Sequence, residues 1–245
     1  MSRPIFFATC LMLCLAFNTA ATAGISLSST RLIFNEGKKE QSIVVRNSGG
    51  QILVQSWLEP EPGVNVNDLP FVVTPPLVRV APEQQQLLRI LYSGAPMPVD
   101  KESIFWLNVQ EIPQAGDSEN ALQFAIRQRI KVFYRPRNLA GEAIQAPLNV
   151  EWRMTRNSAG AQLHLSNTTP YYVSLVDLDL AGKAEGRIAE IQMLAPGASV
   201  VLPLRLLEGA TATTLHFGSM NDYGGRDQYQ VELRDGQVAR ATAKN

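Results

Sequence analysis

Cysteine is almost missing from this sequence of 245 residues: Cys10 and Cys14 are the two present, and both fall within the first 23 positions. If that stretch is a removable leader, the rest of the chain has no thiol. A disulfide, a cysteine–metal site and a cysteine nucleophile are then excluded. Histidine is nearly as scarce, with His164 and His216 alone, each inside an alternating run where a packed or surface role is ordinary. There is no G-x-S-x-G, no phosphate-binding glycine loop and no H-E-x-x-H. Nothing therefore points to an enzyme, a cofactor or a metal site. An excess of one charge is lacking too, with 22 Lys plus Arg against 22 Asp plus Glu. Such a chain has no overall electrostatic pull on nucleic acid, so any recognition by charge must be local.

What is present begins with the leader itself. Arg3 precedes an almost unbroken apolar stretch from Pro4 to Phe17, and Ala21-Thr22-Ala23 stands ahead of Gly24. A positive start, a short apolar centre and a small-x-small end read as a secretory signal peptide over residues 1–23. The stretch is shorter than the roughly 20 residues of a spanning helix, and no later segment approaches that length, so no transmembrane segment is expected in the mature chain. A lipid-anchored start would use Cys14, with Leu11 three residues before it. Leu13, however, stands where that signal has a small residue. Removing 23 of 245 residues leaves 222, enough for one or two cores.

Helical periodicity is also wanting. Short β-rich runs recur about every ten residues between clusters of Gly, Pro, Asn and Asp, the pattern of an all-β sandwich or barrel. The expected strands of a first unit are residues 25–34, 41–47, 53–59, 71–80, 85–92, 103–112 and 121–134. The pattern breaks from Arg135 through Pro147. A second set follows at 148–155, 161–167, 172–180, 187–194, 199–206, 213–217 and 228–233, with Val176, Leu178 and Leu180 alternating against Asp177 and Asp179. Two immunoglobulin-like sandwiches, residues 24–137 and 138–245, are the natural division. The polar tail from Asp235 to Asn245 is expected to be loosely held.

One expected strand differs from the rest. Residues 118–135 exceed the usual strand length, and their even positions read Leu122, Phe124, Ile126, Gln128, Ile130, Val132 and Tyr134. The odd positions read Gln123, Ala125, Arg127, Arg129, Lys131, Phe133 and Arg135. With a period of two, these sets face opposite ways. The apolar face either packs into its own sandwich or lies at an exposed edge, where backbone pairing and alternate side chains can capture another chain. Periodicity alone does not choose between the two.

At these residues the chain resembles the periplasmic chaperones of the chaperone–usher pathway, the PapD-like family. The resemblance is carried by Asp100 through Pro113 (DKESIFWLNVQEIP) and by Ile130 through Pro136 (IKVFYRP). Thr74-Pro75-Pro76, Thr169-Pro170-Tyr171-Tyr172-Val173 and Asn221-Asp222-Tyr223-Gly224-Gly225 add to it, so that it runs from just after the leader to about residue 225. It implies two angled sandwiches, boomerang-like, with an interdomain cleft. It further implies a periplasmic, ATP-independent chaperone whose partners are pilus subunits and an outer-membrane usher. Arg31 and Lys131 look like the cleft pair that holds a subunit's C-terminal carboxylate, and Leu122, Phe124 and Ile126 like the apolar side chains donated to the subunit. Glu102, Arg135 and Asp222 look like the charge cluster that joins the domains. The short connection before residue 118 and the lack of cysteine in the second unit resemble the short-loop branch of the family.

The rival reading is an adhesive or structural surface module. A pilin would need a polar N-terminal donor extension, and a sugar binder would show aromatics clustered on loops. Here Trp57, Trp106 and Trp152 all fall inside expected strands. Asn167-Thr168-Thr169 is formally a glycosylation sequon. An unused apolar edge also invites pairing with a second copy, so a self-capping homodimer is expected in the absence of subunit.

Overall fold

The structure, a computed structural model, describes residues 24–61, 63, 69–113, 124–158, 160–181, 187–204 and 211–244. The expected leader, the start of the long strand (residues 118–123) and Leu122 lie outside these residues.

The first half contains β1 (Ile25–Leu27), β2 (Arg31–Asn35), β3 (Glu40–Asn47), β4 (Ile52–Pro60), β5 (Phe71–Thr74), β6 (Leu77–Val80), β7 (Gln85–Tyr92), β8 (Ser103–Pro113) and β9 (Arg127–Arg135). They form two sheets, ordered β1-β3-β7-β5 and β2-β9-β8-β4-β6. Alternation places Ile43 and Val45 of β3, Leu88 and Ile90 of β7, and Leu107 and Val109 of β8 between the sheets, all buried. Phe71 closes one end, edge-on to both Phe34 and Phe105 at 4.9 Å.

A short helix α1 (Ala146–Asn149), with Pro147 in its first turn where a missing N–H does no harm, leads into the second half. The strands there are β10 (Val150–Asn157), β11 (Gly160–Asn167), β12 (Val173–Leu180), β13 (Arg187–Leu194), β14 (Ser199–Leu204), β15 (Ala212–Met220), β16 (Arg226–Arg234), β17 (Val238–Arg240) and β18 (Thr242–Ala243). Their sheets run β14-β11-β10-β17 and β13-β12-β15-β16-β18. A separate core fills this sandwich, centred on Trp152, Met154, Leu163, Leu165, Leu175 and Leu233. The Trp152 and Phe217 rings lie 4.8 Å apart within it.

Four expectations change. The run 25–34 is two strands in different sheets: β1 pairs antiparallel with β3, and β2 pairs parallel with β9. The switch occurs at Ser28-Ser29-Thr30, where the Ser28 hydroxyl accepts the Val44 N–H at 3.0 Å. The run 71–80 is likewise split, because Pro75 and Pro76 have no N–H to give a ladder. In β12 the inward set is Val173, Leu175, Leu178 and Leu180, since an irregularity between Val176 and Asp179, with Asp177 at φ 47°, shifts the alternation by one residue. The tail is woven in rather than loose: β17 pairs with β10, β18 pairs with β16, and Ala241 is buried between them.

Each sandwich carries the same clasp. Asn47, at the end of β3, donates Nδ2–H to the carbonyls of Gly50, Val80 and Ala81 at 2.7, 3.2 and 3.0 Å. Asn167, at the end of β11, donates to those of Tyr171, Leu194 and Ala195 at 2.7, 3.1 and 3.0 Å. Full burial of Asn167 removes it as a sugar acceptor.

Candidate functional site

The site forms where the two sandwiches meet. Parallel pairing sets Arg31 of β2 directly beside Lys131 of β9. β2 covers β9 only over residues 131–135. Among the described residues, no strand pairs with that flank of β9 from Arg127 to Ile130. The flank is therefore an open edge that closes at the two cations.

Both cations are half-sheltered and turned toward the second sandwich. The Arg31 Nη1 donates to the Met220 carbonyl at 3.0 Å, while its Nε is buried with no partner. The Lys131 Nζ donates to Ser174 Oγ at 3.1 Å. Burial lowers the pKa of Lys131 from its ordinary value to about 8, and the Arg31 charge adds to the effect. Burial lowers that of Arg31 as well, against the pull of Asp222 and Glu102. Two neighbouring cations, one with an unsatisfied N–H, are poised for an anion. A carboxylate would relieve their repulsion and take short charge-assisted hydrogen bonds.

Behind this pair, Glu102, Arg135 and Asp222 are joined in one network across the two sandwiches. The Arg135 Nε donates to Glu102 Oε1 at 2.6 Å, and its Nη1 and Nη2 donate to the two oxygens of Asp222 at 2.5 and 2.8 Å. The other Glu102 oxygen accepts the Tyr172 N–H at 2.8 Å. Burial raises the Glu102 carboxyl above its usual range, opposed by Arg135. Burial also works against the Arg135 charge. The bonds to Asp222 and the charge of Glu102 outweigh it and hold the guanidinium above its ordinary value.

Further contacts near the pair had no signal in residue types. The Arg129 guanidinium lies over Trp106 at 4.2 Å and pairs with Glu59 at 3.1 Å. Phe133 packs against Tyr172 of the second sandwich at 5.7 Å. Glu61 accepts the Tyr172 hydroxyl at 3.3 Å, a second link between the halves. A cavity of about 300 Å³ lined by Arg31, Phe133, Tyr172, Met220 and Tyr223 lies on one side.

The apolar stripe of the long strand divides. Ile130, Val132 and Tyr134 are buried in the core, but the strand begins only at Arg127, so Phe124 and Ile126 lie before it at 72% and 47% exposure. One ladder bond, from the Glu111 N–H to the Ile126 carbonyl at 2.9 Å, carries the pairing that far. The stripe is thus buried at Ile130, Val132 and Tyr134 and exposed at Phe124 and Ile126.

Comparison with known proteins identifies the family and the fold. Residues 24–140 match the family model described as pili and flagellar-assembly chaperone, PapD N-terminal domain. Residues 145–231 match that of pili assembly chaperone PapD, C-terminal domain. The chain is 36% identical over 239 residues to the probable fimbrial chaperone YadV of Escherichia coli K12, covering 92% of this chain and 96% of that one. It is 35% identical to the chaperone protein FimB/FhaD of Bordetella pertussis, over 88% and 91% of the two chains. A crystal structure of the YadV chaperone superposes with a TM-score of 0.72, covering 86% of this chain and all of that one. The SafB chaperone, solved with the Salmonella enterica SafA pilin, superposes with a TM-score of 0.70 at 25% identity, over 90% and 96% of the two chains.

Proposed function

The chain belongs to the PapD family of pilus-assembly chaperones, and from that premise we propose that it is a periplasmic, ATP-independent chaperone that captures fimbrial subunits by donor-strand complementation and passes them to an outer-membrane usher. The observation that carries this reading is the placement of Arg31 and Lys131 side by side where the open edge of β9 ends. A subunit's C-terminal carboxylate seats on the two cations and fixes the register of its last strand. That strand pairs along Arg127–Ile130, while Phe124, Ile126 and Leu122 fill the gap in the subunit's core. Burying each of these contributes about 1.5–3 kcal/mol. Folding of the subunit on its template supplies the driving force, so no nucleotide step is required. Glu102, Arg135 and Asp222 hold the two halves so that Ser174 and Met220 close the far side of the cation pair. The exposed Phe124 and Ile126 support a second occupant, another copy of the chain, when no subunit is present.

The test is periplasmic co-expression with a cognate fimbrial subunit, comparing wild type with Lys131→Ala. Intact subunit should co-purify with the wild type and be degraded beside the variant. Equal recovery removes Lys131 as the anchor.

A further inference from the structure

Along β8, Phe105, Leu107 and Val109 face the first core, and Glu111 follows them on the same face with only 8% exposure. Its Oε2 is buried without a hydrogen-bond partner, and no salt bridge among the described residues includes it. A buried carboxylate left unpaired is strongly unfavourable, so this one calls for a cation.

The carboxylate lies against Gly24. A β-carbon at that position would meet both oxygens and the carboxyl carbon of Glu111, so the carboxylate lies directly over the Gly24 α-carbon. The backbone nitrogen is bonded to the same α-carbon, and standard bond lengths put it within about 4.5 Å of the carboxylate. This end of the chain is fixed in place. The Gly24 carbonyl accepts the Ser48 N–H at 3.0 Å, and the Ile25 carbonyl accepts Gln128 Nε2 at 2.7 Å. While Gly24 is joined to Ala23, its nitrogen is a neutral amide. Hydrolysis of that bond leaves the oxygen of the water on Ala23 as a carboxylate and both its hydrogens on Gly24 as an ammonium.

We infer that Glu111 is the built-in acceptor for the α-ammonium that leader cleavage creates at Gly24, so that processing completes a buried ion pair at the edge of the first sandwich. The inference rests on cleavage between Ala23 and Gly24 and is independent of the chaperone reading. The first sandwich reaches its full stability only once the leader is gone, which couples final folding to export.

The test uses exported, cleaved protein, wild type and Glu111→Gln, each sequenced from its N-terminus. N-terminal acetylation at pH 7 is followed by mass spectrometry of the first peptide. An opposite charge at this range raises an amine's pKa by one unit or more, so the wild type should react at least about tenfold more slowly than the variant. A form kept four residues longer, beginning at Ala20, gives the second measurement. Glu111→Gln should lower the melting temperature of the Gly24 form, where it breaks the ion pair, and raise that of the Ala20 form, where it removes an unpaired buried charge. Equal acetylation rates, equal losses of melting temperature in both forms, or a native start other than Gly24 would each overturn the inference.

Discussion

Raising the pH from 7 to 9.5 discharges Lys131 while its neighbours keep their charge states. Its ammonium titrates at about 8, whereas burial pushes the Tyr171 and Tyr172 hydroxyls up and Arg31 stays a guanidinium. A bound carboxylate should draw the Lys131 pKa back up by about 1–3 units. Between pH 8 and that higher value the complex holds a proton that the free protein has lost. Affinity should then fall by up to tenfold per pH unit, about 10- to 30-fold by pH 9.5. The free protein should move the other way. The folded pKa of about 8 lies below the ordinary 10.5, so between them the unfolded chain binds more proton and this group's contribution to stability rises with pH. The assay is fluorescence anisotropy with a peptide copying a subunit's C-terminal strand, as free acid and as amide, alongside thermal melts over the same range. Lys131→Arg should abolish the pH dependence of binding. A dissociation constant unchanged between pH 7 and 9.5, or an amide that binds as well as the acid, would refute the reasoning.

Four further variants follow from the geometry. Arg135→Ala should cost about 3–5 kcal/mol by urea titration, because the Glu102 side chain is only 1% exposed and loses its counter-ion. Asp222→Asn, at a side chain 37% exposed, should cost no more than about 1 kcal/mol, and equal losses from both would show that burial is not the deciding factor. Joint replacement of Phe124 and Ile126 by Ser should leave the stability of the free protein within about 0.5 kcal/mol. The same replacement should weaken subunit capture at least about tenfold in a pull-down titration. Asn167→Ala should destabilise the second sandwich by about 1–3 kcal/mol by leaving carbonyls unpaired, readable as a drop in melting temperature.

The sandwich architecture was legible because period-two alternation and turn residues act locally, and most strands lie where those signals put them. The sheet switch at Ser28–Thr30 was not, since which sheet a strand joins depends on partners 100 residues away. The irregularity between Val176 and Asp179 escaped for a related reason: a shift of one residue inverts the apparent phase without changing composition. The polar tail misled because its pairing comes from the backbone of β10 and β16, to which side-chain polarity is silent. In the site, Arg31, Lys131, Glu102, Arg135 and Asp222 were found only through motifs. Taken singly, each is an ordinary surface charge. Ser174 and the Met220 carbonyl had no signal at all, because their role arises from the way the second sandwich is set against the first.

The incomplete cover of β9 by β2 has a consequence for timing and direction. An occupant that ends on Arg31 and Lys131 must enter from the Arg127 side and run the same way as β9, because β2 blocks the path beyond residue 131. The resulting ladder is parallel, the slightly weaker kind per residue, and so open to replacement by a strand that pairs antiparallel. If the proposed anchor at Arg31 and Lys131 holds, a slot closed at one end would also distinguish a finished polypeptide from an unfinished one. A subunit still being exported would have no terminal carboxylate to offer, and one extended by even a few residues would overrun the stop. Recognition of this kind would act as a completeness check, admitting a client only once its last residue is free.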